Sequence, residues 1–203
     1  KDFSSELAMF KYALFGQVSK EYLNSRLGLS FGVRLDGNQY NSSMKNVFNQ
    51  FSPRFSAAYN LNDRWSINSS VGTYYQLPSY TTLGFRDNTN GLVNQSNLKY
   101  IKSNHFVSGL EFKPDTSSKI TIEGFYKSYS NYPFSIRNQI SLANLGADFG
   151  VVGNEAVTSE SKGKAYGFEI FAQKKSYKGL YGIISYTFVR SEFQDASGTY
   201  IPS

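Results

Sequence analysis

The chain has 203 residues and a formal net charge of +6, and its charged content of 18% lies below the ~25% of an average globular protein. It contains no cysteine and a single histidine, His105, which excludes disulfides, thiolate zinc sites and any two-histidine metal site within the chain. The 21 Lys and Arg residues are dispersed, with no run longer than the pair Lys174 and Lys175 and no accompanying recognition motif, so nucleic acid is not an expected partner.

At 40% hydrophobic residues the chain is too apolar for disorder, yet it holds no run of ~18–20 apolar residues able to cross a bilayer as a helix. Aromatic residues reach 17%, as 16 Tyr, 17 Phe and one Trp. Such side chains favour strands, and Tyr also suits boundaries between apolar and aqueous surroundings. No signal peptide is read after Lys1, and the chain stops abruptly at Ile201-Pro202-Ser203, so it is expected to be a piece of something larger.

In chain order, alternation with a period of two recurs eight times. The first predicted strand, residues 6–18, sets Ala8, Phe10, Tyr12, Leu14 and Val18 on one side. The second lies in RLGLSFGVRLDGNQYN, residues 26–41. There Leu27, Leu29, Phe31, Val33 and Leu35 form one face, and Gly28, Ser30, Gly32, Arg34 and Asp36 the other. The third, residues 53–61, aligns Phe55, Ala57, Tyr59 and Leu61, and the fourth, residues 64–76, aligns Trp65, Ile67, Val71, Thr73 and Tyr75. The fifth, residues 98–112, aligns Phe106, Leu110 and Phe112, and the sixth, residues 119–130, aligns Ile120, Ile122, Gly124 and Tyr126. The seventh, residues 163–175, sets Tyr166, Phe168, Ile170 and Ala172 against Gly167, Glu169 and Gln173. The eighth, residues 180–193, is apolar on both sides around Ile183 and Ile184, which leaves its facing open.

The connections alternate in length. Strands one and two are joined by about seven residues, two and three by about sixteen, and three and four by a two-residue turn at Asn62 and Asp63. About twenty residues holding LGFRDNTNGLVNQSN follow, then the short KPDTSS, then about thirty residues at 131–162, then the short SYKG. This short-long pattern predicts an all-β fold: an antiparallel up-and-down meander of about eight long strands, part of a large transmembrane β-barrel with trimmed periplasmic turns and elaborated extracellular loops. A spanning strand needs ~9–11 residues, whereas strands of soluble proteins run ~5–6, and the alternation of the second strand lasts about eleven. The apolar face of residues 27–35 is then expected against lipid and the Gly/Ser/Arg face inside the barrel. Tyr59 and Trp65 beside the short turn, and Tyr74, Tyr75 and Tyr100 near long connections, are expected at the two membrane boundaries.

Four segments carry a family resemblance: LGLSFGVRLD (27–36), FSPRFSAAYNLNDRWSINSSVGTYYQLPSY (51–80), GKAYGFEIFAQKK (163–175) with Gly167 and Glu169 in a Gly-x-Glu core, and YGIISYTFVRSEF followed by GTYIPS. Together and in this order they resemble the barrel of TonB-dependent outer-membrane receptors of the Bacteroidetes type. In the first segment Val33 and Leu35 occupy the family's Leu and Tyr places, so the match there is one of pattern. The resemblance implies a partial barrel domain over residues 1–203 in a bacterial outer membrane. It also implies uptake of a scarce nutrient (siderophore, haem, vitamin, glycan or peptide), with a plug domain and the TonB complex as partners beside membrane lipid. The rival reading is a soluble secreted β-sheet binding or adhesion module.

No catalytic constellation accompanies these strands, so no enzyme activity and no cofactor are expected. GLSFG (28–32) matches a nucleophile-elbow pattern, but Ser30 sits in unbroken alternation with no helix after it. His105, Glu111, Glu123, Glu169, Arg34 and Lys127 fall on predicted inner faces and read as ordinary lumen residues. RDNTNG (86–91) lacks the acidic spacing of a calcium loop and reads as a turn. Asn41 and Asn68 begin chance glycosylation triplets. Ligand contacts are expected in the long connections, especially residues 131–162, at Tyr80, Phe85, Arg86, Tyr132 and Arg137. Taken alone in water, the chain is expected to self-associate, because eight strands leave open edges and an uncovered apolar band.

Overall fold

The computed structural model describes residues 6–145, 152–177 and 179–203. They form one sheet of ten strands: β1 (Lys11–Tyr22), β2 (Leu27–Asn38), β3 (Ser52–Asn60), β4 (Trp65–Gln76), β5 (Ile101–Asp115), β6 (Ser118–Ser135), β7 (Ile140–Ser141), β8 (Val157–Tyr177), β9 (Leu180–Gln194) and β10 (Tyr200–Pro202). Neighbours run β1-β2-β3-β4-β5-β6-β8-β9-β10, and the two-residue β7 pairs with β6. All pairings are antiparallel, and the eight long strands are sequential neighbours, as the alternating connections required. The count differs from eight because β7 and the three-residue β10 are too short to carry alternation.

The registers fix the two faces, since directly paired residues share a side. Leu14, Leu35 and, through the next strands, Phe31, Phe55, Val71, Phe106, Tyr126, Tyr166 and Arg190 fall on one surface. Residues one step along the chain fall on the other. Ile184, Tyr186 and Phe188 pair with Ala172, Ile170 and Phe168, which places them on the apolar surface. Ile183 pairs with Gln173 on the polar one, so the ambiguity of the last long strand is resolved. The apolar surface is uncovered: Leu14 is 70% exposed, Phe106 54% and Ile184 75%. Trp65 stacks on Phe112 with ring centroids 4.3 Å apart near the short turns, where a membrane boundary belongs.

Several boundaries move. The first strand starts and ends four to five residues later than the pattern suggested, and its turn shrinks to residues 23–26, three of which adopt left-handed backbone (Leu23 φ 54°, Asn24 φ 53°, Ser25 φ 62°). The β3–β4 turn is longer than two residues: Leu61 N–H donates to the Trp65 carbonyl at 2.9 Å, and the Asn62 side chain accepts from the Arg64 and Trp65 N–H groups. In the expected SYKG turn, residue 178 lies outside the described residues; β8 and β9 pair up to Tyr177 and Leu180. The Gly167 of the Gly-x-Glu segment has a steric reason, because a Cβ there would strike the Phe188 carbonyl oxygen of β9.

The two ends of the sheet are built differently. At one end, tight turns join β1 to β2, β3 to β4 and β5 to β6. At the other, residues 39–51 and 77–100 carry the short helices α1 (Ser42–Lys45) and α2 (Tyr80–Leu83), the long connection after β6 carries β7, and the compact hydrophobic core sits among the three. No helix among the described residues is long and apolar enough to cross a membrane, which leaves crossing by strands as the issue.

Candidate functional site

The long connections fold into a single packed cap rather than separate loops. Tyr40, Met44, Leu83, Leu98, Tyr100, Leu142 and Val157 form its buried centre, drawn from all three connections and the strand ends. Polar side chains fasten it. Asn94 is 1% exposed; its Nδ2 donates to the Thr82 and Glu155 carbonyls, both at 2.9 Å, and its Oδ1 accepts from Val157 N–H at 2.9 Å. Asn41 caps α1 by accepting from Met44 N–H, and its Nδ2 donates to the carbonyls of Gln95 (2.7 Å) and Leu98 (2.8 Å). Asn38 Nδ2 donates to the Tyr100 hydroxyl at 2.9 Å, and the Tyr40 hydroxyl donates to the Leu83 carbonyl at 2.8 Å. Burial pushes the Tyr40 phenol up to about 12. A buried asparagine with each group paired holds backbone that would otherwise be left unsatisfied.

The five expected contact residues all lie at this end, but in different roles. Tyr80 opens α2, is 56% exposed, and accepts from Lys11 Nζ at 2.6 Å. Arg137 is exposed in the turn after β6, a turn pinned by Ser135, Asn138 and the Glu155 carboxylate. Phe85 and Arg86 are half-buried. The Arg86 guanidinium donates to the carbonyls of Asn90 (2.7 Å) and Glu6 (3.2 Å), so it organises the RDNTNG loop. That loop is a turn, as its residues suggested: Asp87 accepts from Thr89 and Gly91, which holds its carboxyl below the usual range.

Tyr132 corrects an expectation. The sequence pattern sets it in a connection over 131–162, but β6 continues to Ser135 and β8 begins at Val157. Asn131 does take the left-handed backbone of a turn residue (φ 58°), yet the sheet absorbs it as irregularities around Tyr132. The result turns Tyr132 onto Phe193, with centroids 4.7 Å apart, against the cap. Tyr100 and Tyr74 are likewise not boundary residues facing lipid. Tyr100 is buried in the cap, and Tyr74 lies on the polar face, where Arg54 sits 4.3 Å from its ring centroid and His105 4.5 Å.

A groove of about 450 Å³ opens beside the Arg137 turn, lined by Phe134, Gln139, Glu160, Lys162, Gln194 and Asp195. No pattern in the sequence marks it, because it depends on the β9–β10 turn meeting the turn after β6; Ala196 N–H donates to the Gln139 carbonyl at 3.1 Å. On the polar face, Ser30 lies mid-strand in β2 and accepts from Gln17 Nε2 at 2.9 Å, with no base beside it. His105 Nε2 lies 2.7 Å from Ser103 Oγ. Glu111 is paired with Lys113 and Lys119, and Glu123 stands directly across from Glu169. No group of three metal-ligating side chains occurs among the described residues.

Similarity to known proteins points the same way. By structure the chain is similar to the alcaligin outer-membrane receptor FauA of Bordetella pertussis (20% identity, TM-score 0.60, covering 95% of this chain and 32% of that one). It is also similar to the ferripyoverdine receptor of Pseudomonas aeruginosa (17% identity, TM-score 0.63, covering 95% and 24%) and to the FrpB iron transporter of Neisseria meningitidis (15% identity, TM-score 0.65, covering 93% and 26%). At these identities the likeness is one of fold, and the chain spans about a quarter to a third of the receptors it matches. A search of curated proteins by sequence returns no match. The family model described as TonB dependent receptor-like, beta-barrel, matches residues 2–203, so the chain belongs to that family of bacterial outer-membrane barrels.

Proposed function

We propose that this chain is a segment of a larger, plugged outer-membrane barrel, of the Bacteroidetes type, that takes up a scarce nutrient with energy delivered through the TonB complex. Residues 1–203 form part of its barrel domain, and the elaborated end faces the cell exterior. The observation that carries this reading is the division of one sheet into an apolar band that only lipid can cover and a folded polar cap at one end. Family membership supports it, as do structural neighbours whose names are those of iron and siderophore receptors. An adhesion module lacks a reason for the uncovered band, and nothing in the sheet favours catalysis. The nutrient is of the siderophore, haem, vitamin, glycan or peptide kind.

Within the cap, Tyr80 and Arg137 present free surface to a ligand, while Phe85, Arg86 and Tyr132 hold the surface in shape. The test is uptake by cells carrying the intact receptor, with surface expression measured in parallel. Tyr80→Ala combined with Arg137→Ala is expected to lower uptake at least several-fold at unchanged surface level. Arg86→Ala and Tyr132→Ala are expected to lower the amount of correctly assembled receptor as well. Unchanged uptake in the first variant refutes the contact assignment.

A further inference from the structure

The elaborated end of the sheet has an uneven rim. Three of its connections are long and build the cap, whereas a tight turn, residues 195–199, joins β9 to β10. The groove of about 450 Å³ lies at this step, between the β9–β10 turn and the turn after β6. Its volume falls within the ~300–1,000 Å³ of small-molecule sites. Lys164 stands directly across from Glu192 on the face that carries Tyr166 and Phe168, and Lys162 and Gln194 lie two residues further along the same two strands. The groove therefore opens on the outer surface of the sheet, not on its polar inner face. Lys162 is four residues past Tyr166, about 13 Å at ~3.3 Å per residue, which sets the groove beyond the apolar band and in water.

Donors and acceptors line this groove without meeting one another. Lys162 shares it with Glu160 and Asp195 but forms an ion pair with neither, whereas Glu111, Asp115 and Glu192 each hold a basic side chain. The Gln194 amide has no hydrogen-bond partner among the described residues. Gln139 Nε2 donates to the Ile136 carbonyl, which leaves its Oε1 as an acceptor. The Asp195 carboxylate is fixed by its own turn: Oδ1 accepts from the Ser197 N–H at 2.9 Å, the Ser197 hydroxyl at 2.7 Å and the Thr199 N–H at 2.9 Å, which leaves Oδ2 open. The β5–β6 turn uses the same arrangement with both oxygens filled. There Asp115 Oδ1 accepts from the Ser117 N–H and hydroxyl, and Oδ2 from the Ser118 hydroxyl and Lys174 Nζ. Phe134, half-buried and paired with Thr158, adds one flat apolar surface to the lining.

We propose that this groove binds a saccharide bearing no carboxylate or phosphate. One lysine against two carboxylates leaves the lining acidic, which selects against anionic ligands. No group of three metal-ligating side chains occurs among the described residues, so a metal ion is not the occupant. A single aromatic ring beside the small Ala196 and Gly198 offers no deep apolar pocket for an acyl chain or a peptide side chain. A sugar ring matches what remains. Its hydroxyls both donate and accept around the rim, and one of its faces is made of C–H groups. Phe134 takes that face, Lys162 and the Gln194 amide donate, and the Glu160 and Asp195 carboxylates accept through charge-assisted hydrogen bonds. The saccharide is held on the outer surface, whether it comes free in solution or is borne on a cell surface. The site is separate from the Tyr80 contact surface and stands without the plugged-barrel reading.

The test applies the full-length receptor in detergent micelles to a printed array of neutral, amino-substituted and acidic oligosaccharides, followed by titration of each retained saccharide. Folding is read separately from the heat-dependent mobility of the barrel on a denaturing gel. Wild type is expected to retain neutral or amino-substituted saccharides and to pass over the acidic ones. K162A/Q194A, two exposed side chains without structural partners, is expected to weaken binding at least fivefold with folding unchanged. D195N keeps an oxygen to hold the turn but loses the charge, and is expected to weaken binding about twofold to fivefold. Tyr80→Ala is expected to leave binding within twofold of wild type. Competition by the free saccharide, compared with the same saccharide on a glycolipid in mixed micelles, distinguishes a soluble source from a surface-borne one, and preference for either supports the site. Retention of no saccharide, or of acidic ones alone, overturns the proposal. So does binding within twofold of wild type in folded K162A/Q194A, and loss of binding in Tyr80→Ala removes the claim of a separate site.

Discussion

The cap and the strand belt of this chain follow opposite rules for burying side chains. In the cap, Met44, Leu83 and Leu98 are fully buried, and Asn94 and Asn38 are paired at every turn, as in a water-soluble domain. In the belt, one face is polar, and Leu14, Phe31, Val71, Phe106 and Ile184 stand exposed on the other. Exposed apolar residues scattered singly are ordinary, but a contiguous band across eight long strands marks contact with an apolar medium. One chain therefore carries two solvent assignments, water around the cap and hydrocarbon around the belt, and the boundary falls where the strands leave the connections.

The comparison breaks most visibly when the belt loses its lipid. In aqueous buffer without detergent, the 203-residue chain is expected to form oligomers or larger particles. Each uncovered side chain of Leu, Ile, Val or Phe type contributes about 1.5–3 kcal/mol on burial, and the sheet edges offer unpaired N–H and C=O groups besides. Sedimentation velocity checks it: association in buffer and dispersal on adding detergent is the expected result, and a stable monomer at tens of micromolar contradicts it. At the next level of effect, Phe31→Arg in the lipid-inserted receptor is expected to cost about 2–4 kcal/mol, the penalty for a charge near the bilayer midplane. Gly32→Arg, one residue on but facing the lumen, is expected to cost much less. Denaturant titration in lipid vesicles measures both.

The cap should respond to polar deletions instead. Asn94→Ala removes three hydrogen bonds and strands the carbonyl of Thr82 and the N–H of Val157 in a buried place, a loss of about 2–3 kcal/mol to the cap. Hydrogen exchange should show faster opening across residues 77–100 and 152–157, with the β3–β4 region unchanged. The smallest effect is a pH dependence. Tyr40 is held neutral by burial, its pKa raised from the ordinary value of 10 to about 12. Its contribution is whole below pH 10 and is lost as pH rises through the window from 10 to 12, because the unfolded chain releases the proton first. The near-ultraviolet circular dichroism of the cap should decline over that window in wild type and less in Tyr40→Phe.

How far the sequence could be read follows the same division. In the belt each side chain is assigned by a period of two, so facing, order and antiparallel pairing were legible from Leu27 to Phe168 without any structure. Strand eight resisted because Ile183 and Ile184 are apolar on both sides of an edge-proximal strand, and only its register against Gln173 and Ala172 decides the matter. In the cap there is no period. Asn94 reaches Glu155 and Val157, and Asn41 reaches Gln95 and Leu98, across more than fifty residues in each case. Turn-forming asparagines of this kind look alike in sequence whether they point to solvent or tie three connections together. Tyr132 was misplaced for a related reason: Asn131 signals a turn, and the strand took it up as a local irregularity. The five residues expected to meet a ligand all lie at the elaborated end of the sheet, but sequence reading could not separate exposed Tyr80 and Arg137 from Arg86, whose guanidinium is spent on backbone carbonyls.

The assignment of lipid to one face of the belt is tested most directly by reagent accessibility along β2. The chain has no cysteine of its own, so Leu29→Cys, Ser30→Cys, Phe31→Cys, Gly32→Cys and Val33→Cys each introduce a unique label site within it. With spin labels attached in lipid vesicles, positions 29, 31 and 33 should collide preferentially with dissolved oxygen, which concentrates in hydrocarbon, and positions 30 and 32 should be shielded from it. Accessibility that does not alternate, or that alternates in the opposite phase, would contradict the account.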